Sequence, residues 1–118
     1  MGAPQRKSLD RPDETRPVDK GKVDVVELDG KNVLRSTFSP GWRWSECVKP
    51  IVGGDSCQVD HFGYCVSGQL KVVMDNGEEL EFTAGDAMHI PPGHDAWVVG
   101  EEPYVGIDVT GAEYAKPH

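Results

Sequence analysis

Residues 85–97 read GDAMHIPPGHDAW, and the spacing of glycine and proline in this stretch decides how the chain folds. Gly85-Asp86 is a turn pair, Pro91-Pro92-Gly93 is a second turn, and Met88-His89-Ile90-Pro91 is a short strand between them. Glycine admits positive φ and proline holds φ near about −65°, so both turns have a set geometry. Such rigidity also suits a scaffold that must hold a ligand-bearing side chain still, and His94 follows the second turn directly.

Working outward, the neighbours show the same punctuation. AWVVG (96–100) and YVGIDVTG (104–111) read as the last strands. Upstream, QLKVVMD places Leu70, Val72 and Met74 on one face, Asn76-Gly77 follows, and EELEFTA returns with Leu80 and Phe82 alternating. Asn-Gly between alternating apolar runs is the strongest short-range hairpin signal. Further strands are expected in KVDVVEL (22–28), Asn32–Phe38, WRWSECV (42–48) and SCQVDHFGYCV. Trp42 and Trp44, two apart, then share a face. No segment holds a 3.6-residue period. Short strands with turn signals roughly every 8–12 residues predict an all-β, antiparallel, two-sheet domain.

Composition sets the limits. A chain of 118 residues is one domain by size, with a single core. Residues 1–22 carry six Lys/Arg, four Asp/Glu and three prolines, with Leu9 and Val18 the main apolar residues. Such a segment buries too little surface to offset its ordering entropy, so a flexible arm over 1–22 and a β domain over 23–118 are expected. Residues 23–118 carry six Lys/Arg against sixteen Asp/Glu, and an acidic body argues against nucleic acid as partner. No apolar run reaches the length of a membrane helix. The N-terminus has no apolar h-region, and Cys47, Cys57 and Cys65 cannot all pair within one chain, which together point to the cytoplasm.

The run from about Trp42 to Gly111 resembles the cupin superfamily, whose fold is a double-stranded β-helix or jelly-roll barrel. Gly85, Pro91 and Gly93 fall in the family's second motif, and Gly68, after YCVS, fits the glycine that ends the first. The resemblance implies a divalent metal held by an HxH pair, a glutamate and a last histidine. This sequence has His61 at the glutamate position, Ala96 at the last histidine, and Asp55 and Cys57, or Gly54 and Ser56, at the HxH pair.

Replacement donors stand close by. Cys57 and His61 are four apart and share a strand face, and His94 is two before Ala96. A Cys57, His61, His94 set of nitrogen and sulfur donors suits zinc, or iron, nickel or manganese, better than magnesium or calcium, and leaves a position open for water or substrate. The plainer alternatives are a buried Cys57 that only packs, a core His61 satisfied by a carbonyl, and a solvent-facing His94 at its turn. His89 is expected to face outward, and His118 to be a disordered chain end. Trp44, Tyr64, Phe82 and Trp97 are candidates for an apolar ligand pocket in the barrel, or for plain core. Glu46, Asp55 or Asp60 could orient a histidine, or be solvated.

Three functional readings remain at this level. One is a cupin that binds a small molecule, with or without a divalent metal, as a sensor or accessory protein. Another is a metal-dependent isomerase, lyase or dioxygenase acting on a small organic substrate. The last is a partner-binding module with an empty barrel. A homodimer is expected in each, because symmetric pairs are the commonest oligomers.

Overall fold

The computed structural model describes residues 2–116, so the expectation for His118 lies outside the described residues. The described chain runs β1 (Glu14–Val18), β2 (Gly21–Leu28), β3 (Lys31–Phe38), α1 (Trp44–Cys47), α2 (Lys49–Val52) and β4 (His61–Ser67), then β5 (Gln69–Met74), β6 (Glu79–Thr83), β7 (Ala87–Ile90), β8 (His94–Val98) and β9 (Tyr104–Asp108). Six strands form one sheet in the order β1-β2-β3-β9-β4-β7, and three form the other in the order β6-β5-β8. Every paired strand is antiparallel. This is the all-β, two-sheet architecture expected of a double-stranded β-helix.

The inner faces follow strand alternation. In β8, His94, Ala96 and Val98 are buried while Asp95 and Trp97 lie between them, half-buried. In β9, Tyr104, Gly106 and Asp108 are the buried set. These meet Val23, Leu34, Phe38, Trp42, Leu70, Val72 and Ile90 in one core. Two glycines let the sheet close. A side chain at Gly63 in β4 would run into the carbonyl of Ile107 on β9. Gly68, at φ 78°, packs against the backbone of Pro103 and Tyr104 and has no room for a Cβ.

Two expectations need correction. The arm expected over 1–22 is not all arm: Glu14–Val18 pairs with Gly21–Val25, and the sheet starts well before residue 23. The cause is long-range. Arg16 is 7% exposed, donates to the carbonyls of Ala112 and Tyr114 at 2.7 and 2.8 Å, and pairs with Glu14 at 3.0 Å. The stretch WRWSECV is likewise not a strand, because Trp44–Cys47 is one helical turn, followed by a second with Pro50 in its first turn. The first turn is held by Asp95 of β8, whose Oδ1 accepts from the N–H of Ser45 at 3.1 Å. Trp42 and Trp44 are nonetheless both buried.

Candidate metal centre

Three elements bring the candidate donors together. His61 opens β4 and lies on the inward face with Gly63 and Cys65. His94 opens β8 immediately after the Pro-Pro-Gly turn. Cys57 lies in the loop before β4, but its backbone is locked to the turn: its N–H donates to the His94 carbonyl at 2.7 Å, and its carbonyl accepts from Gly93 at 2.7 Å. The turn therefore sets the backbone of two donors at once. The result is that Cys57 Sγ and one ring nitrogen each of His61 and His94 lie within 4.8 Å of one another.

The second nitrogen of each ring is already engaged. His94 Nδ1 lies 2.8 Å from the Pro91 carbonyl, which can only accept, so Nδ1 carries the proton. His61 Nδ1 lies 2.5 Å from Asp108 Oδ2, a carboxylate that again takes the proton on Nδ1. Asp108 is fixed in turn by the N–H groups of Thr110 and Gly111, both donating to Oδ1 at 2.9 Å. This leaves Nε2 as the nitrogen of each ring that a metal would take, and His61 Nε2 is 3.7 Å from Cys57 Sγ. Donors bonded at about 2.0–2.3 Å to one tetrahedral ion stand about 3.3–3.8 Å apart, and the His61–Cys57 distance falls in that range.

The electrostatics match. Burial pushes the Cys57 thiol up, but hydrogen bonds from His61 and His94 outweigh it and bring the thiol down to about 6. Burial pushes His61 down, yet the Asp108 carboxylate and the Cys57 sulfur raise it to about 9. Burial raises Asp108, and His61 with the Thr110 and Gly111 amides brings it below the ordinary carboxylate range. The thiolate is the deprotonation state that a metal requires of its sulfur ligand, while His61 gives up a proton to bind one. The described residues thus hold a buried cysteine–histidine–histidine cluster that could hold a metal ion.

Beside it lies a cavity of about 40 Å³ lined by His61, His94, Gly63, Phe38, Trp42 and Met88. That is room for a water or two, not for an organic molecule. Tyr114, from the turn after β9, closes it with its ring edge-on to His61 at 4.7 Å between centroids.

The aromatic residues expected to line one interior pocket do not do so. Tyr64 is 48% exposed on the outer face of β4. Trp97 faces outward on β8 under the Arg43 guanidinium, 4.1 Å from its ring centre. Phe82 is buried at the seam beside β7, next to Ile90, and Trp44 faces a separate cleft. Tyr64 and Trp97 fail for one reason, strand parity: each is offset by one from an inward position. His89 faces out as expected and pairs with Asp60 at 2.9 Å. Glu46 pairs with Arg43, and Asp55 is exposed, so none of the three acids expected as orienters touches the centre. That part falls to Asp108. Its signal was an acid in phase with Tyr104 and Gly106 on a strand whose inward set is otherwise uncharged.

Residues 56–110 match the family model described as Cupin domain. Among solved structures, a Rhizobium leguminosarum protein of unknown function shares 18% identity over 99% of this chain and 100% of its own, with a TM-score of 0.66. A Cupin 2 conserved barrel domain protein from Salinispora arenicola shares 18% over 92% of this chain and 88% of its own, at 0.63. The oxalate decarboxylase of Lactobacillus farciminis, in its formate complex, shares 20% over 83% of this chain at 0.61, and this chain spans only 30% of that enzyme. At these identities the likeness is one of fold. No curated protein matches the chain.

Proposed function

We propose that this chain, whose residues 56–110 match the cupin domain, binds a divalent metal of the zinc type through Cys57, His61 and His94 and uses the remaining coordination position to capture a small ligand. The observation that carries this reading is the fate of the two Nδ1 atoms. Each is tied to an oxygen acceptor, Pro91 or Asp108, as the ring nitrogen opposite the metal commonly is in histidine metal sites. One sulfur and two nitrogens suit zinc over oxygen-seeking magnesium or calcium, with iron and nickel as the other candidates. When bound, the metal supplies Lewis acidity at the open position. The chain's own residues orient the rings, keep the sulfur deprotonated and exclude bulk water through Tyr114.

The small interior volume favours a binding or accessory role over turnover of an organic substrate inside the barrel. The second reading, a metal-dependent enzyme, draws on the three-donor set, which keeps a position open as catalytic zinc sites do. The test is elemental analysis of protein purified without chelator, together with Cys57→Ser, His61→Ala and His94→Ala. We expect close to one ion per chain, lost in each variant. Near-zero metal in the unaltered protein, or full metal in all three variants, would overturn the reading.

The same proposal takes the protein to act as a homodimer. Phe62, Tyr64 and Val66 are 55%, 48% and 46% exposed along one face of β4, a continuous apolar strip. Sedimentation should give a dimer that Tyr64→Glu disperses; a monomer at micromolar concentration would rule the pairing out.

A further inference from the structure

On the other side of Cys57 from the barrel cavity, the loop between α2 and β4 and the turn after β9 enclose a cleft of about 280 Å³. Its apolar walls are Trp44, Val52, Val59, Tyr114 and Ala115, and the buried Cys57 lines it as well. This volume is close to the lower end of the about 300–1,000 Å³ that ligand pockets span.

The cleft is built from parts that cannot easily collapse. One wall is pinned by the Cys57–His94 backbone pairing, the other by Arg16 on the carbonyls of Ala112 and Tyr114. Its rim carries Gly53 at φ 79°, ψ −173°, a conformation essentially confined to glycine. A Cβ at Gly53 would meet nothing within 4 Å, so open space lies above it. The charged lining residue, Glu113, is exposed and lies 3.7 Å from Lys116, which leaves the apolar walls to set the preference.

We propose that this cleft is the binding site for a small, uncharged, largely apolar organic molecule, of about the size of one substituted aromatic ring, seated between Val52, Val59 and Tyr114 and against Cys57. The barrel cavity takes the metal's remaining ligand, and the cleft takes the organic one. Tyr114 borders both, so occupancy of the cleft is felt at His61. The location of this site does not depend on the metal reading; only its link to the centre does. A carboxylate is disfavoured, because apolar walls would strip its water without pairing its charge and the chain is already net −8.

Benzyl alcohol and benzoate serve as probes, followed by nuclear magnetic resonance on the full chain with its metal content measured in parallel. Benzyl alcohol should shift the Gly53, Gly54 and Val59 amides and the Trp44 indole N–H saturably. Benzoate should bind about tenfold more weakly or worse. Val52→Trp and Val59→Trp each fill the cleft from one wall and should abolish these shifts while metal content stays unchanged. Shifts centred on Leu70, Met88 and Ala96, no saturable shift, or shifts that survive in both tryptophan variants would overturn the proposal. Cleft shifts in a protein that holds no metal would instead leave the cleft standing and remove the metal centre.

Discussion

Cys57 and His61 divide their protons in a way that makes measurable claims. With the thiol near 6 and the imidazole near 9, the metal-free pair is thiolate and imidazolium between those limits. A metal needs the thiolate and the neutral imidazole, so loading releases one proton from this pair at pH 7.5 and two below about pH 6. Zinc calorimetry in buffers of different ionisation heat counts them; no release from the pair at pH 7.5 would contradict the assignment. Stability of the chelated protein follows from the same values. His61, raised from 6.5 to about 9, contributes stability that is full below 6.5 and lost as pH rises through about 9. Cys57, lowered from 9.0 to about 6, contributes stability that is full above 9.0 and lost as pH falls through about 6. The two slopes oppose, so the intact pair gives a nearly flat profile. Cys57→Ser leaves only the His61 slope, now sustained by Asp108 alone and so smaller, and its melting temperature should fall as pH rises above 6.5. Asp108 acts through His61. Asp108→Asn should keep the fold but cost about 10–100-fold in zinc affinity, read by competition with a chelating dye.

At the scale of elements, the Pro-Pro-Gly turn does what its sequence announced. It ends β7, starts β8 and fixes the backbone of His94 against that of Cys57. The strands with clean alternation and turn pairs, such as Gln69–Met74 and Glu79–Thr83 around Asn76-Gly77, were legible because local chemistry alone specifies them. The turn of helix at Trp44–Cys47 was not, since the N–H of Ser45 in it is satisfied by Asp95, fifty residues along the chain. Side-chain direction was legible only where parity could be anchored. His61 and Cys57 converge, but not along the unbroken strand their spacing assumed, because Cys57 lies in the loop before β4 and is placed by its backbone pairing with His94. Tyr64 and Trp97 fall one residue out of phase, and Asp108 gained its part from a partner on another strand. Gly68 belongs to this scale as well. Gly68→Ala forces a Cβ into the Pro103 backbone at positive φ, and urea unfolding should show a loss of about 1–3 kcal/mol or more, with Gly77→Ala, in open space, losing less.

For the whole molecule, the ends of the chain close the site. Strand β1 brings Arg16 under the C-terminal turn, and that turn carries Tyr114 onto His61. The composition of residues 1–22 signalled an arm because charge and proline dominate it. The bonds that order its second half lie 96 and 98 residues away, where no local reading reaches. Arg16→Ala leaves two carbonyls without their donor and should cost about 2 kcal/mol in stability. It should also speed the reaction of Cys57 with a thiol reagent by releasing the turn that covers the centre; an unchanged rate would mean that the turn does not guard it.

The central claim is that Cys57, His61 and His94 share one ion, and X-ray absorption at the zinc edge tests it most directly. The zinc-loaded protein should show one sulfur at about 2.3 Å and nitrogen at about 2.0–2.1 Å, with the sulfur shell absent in Cys57→Ser. A spectrum with oxygen and nitrogen neighbours alone, or a sulfur shell that persists in Cys57→Ser, would contradict it.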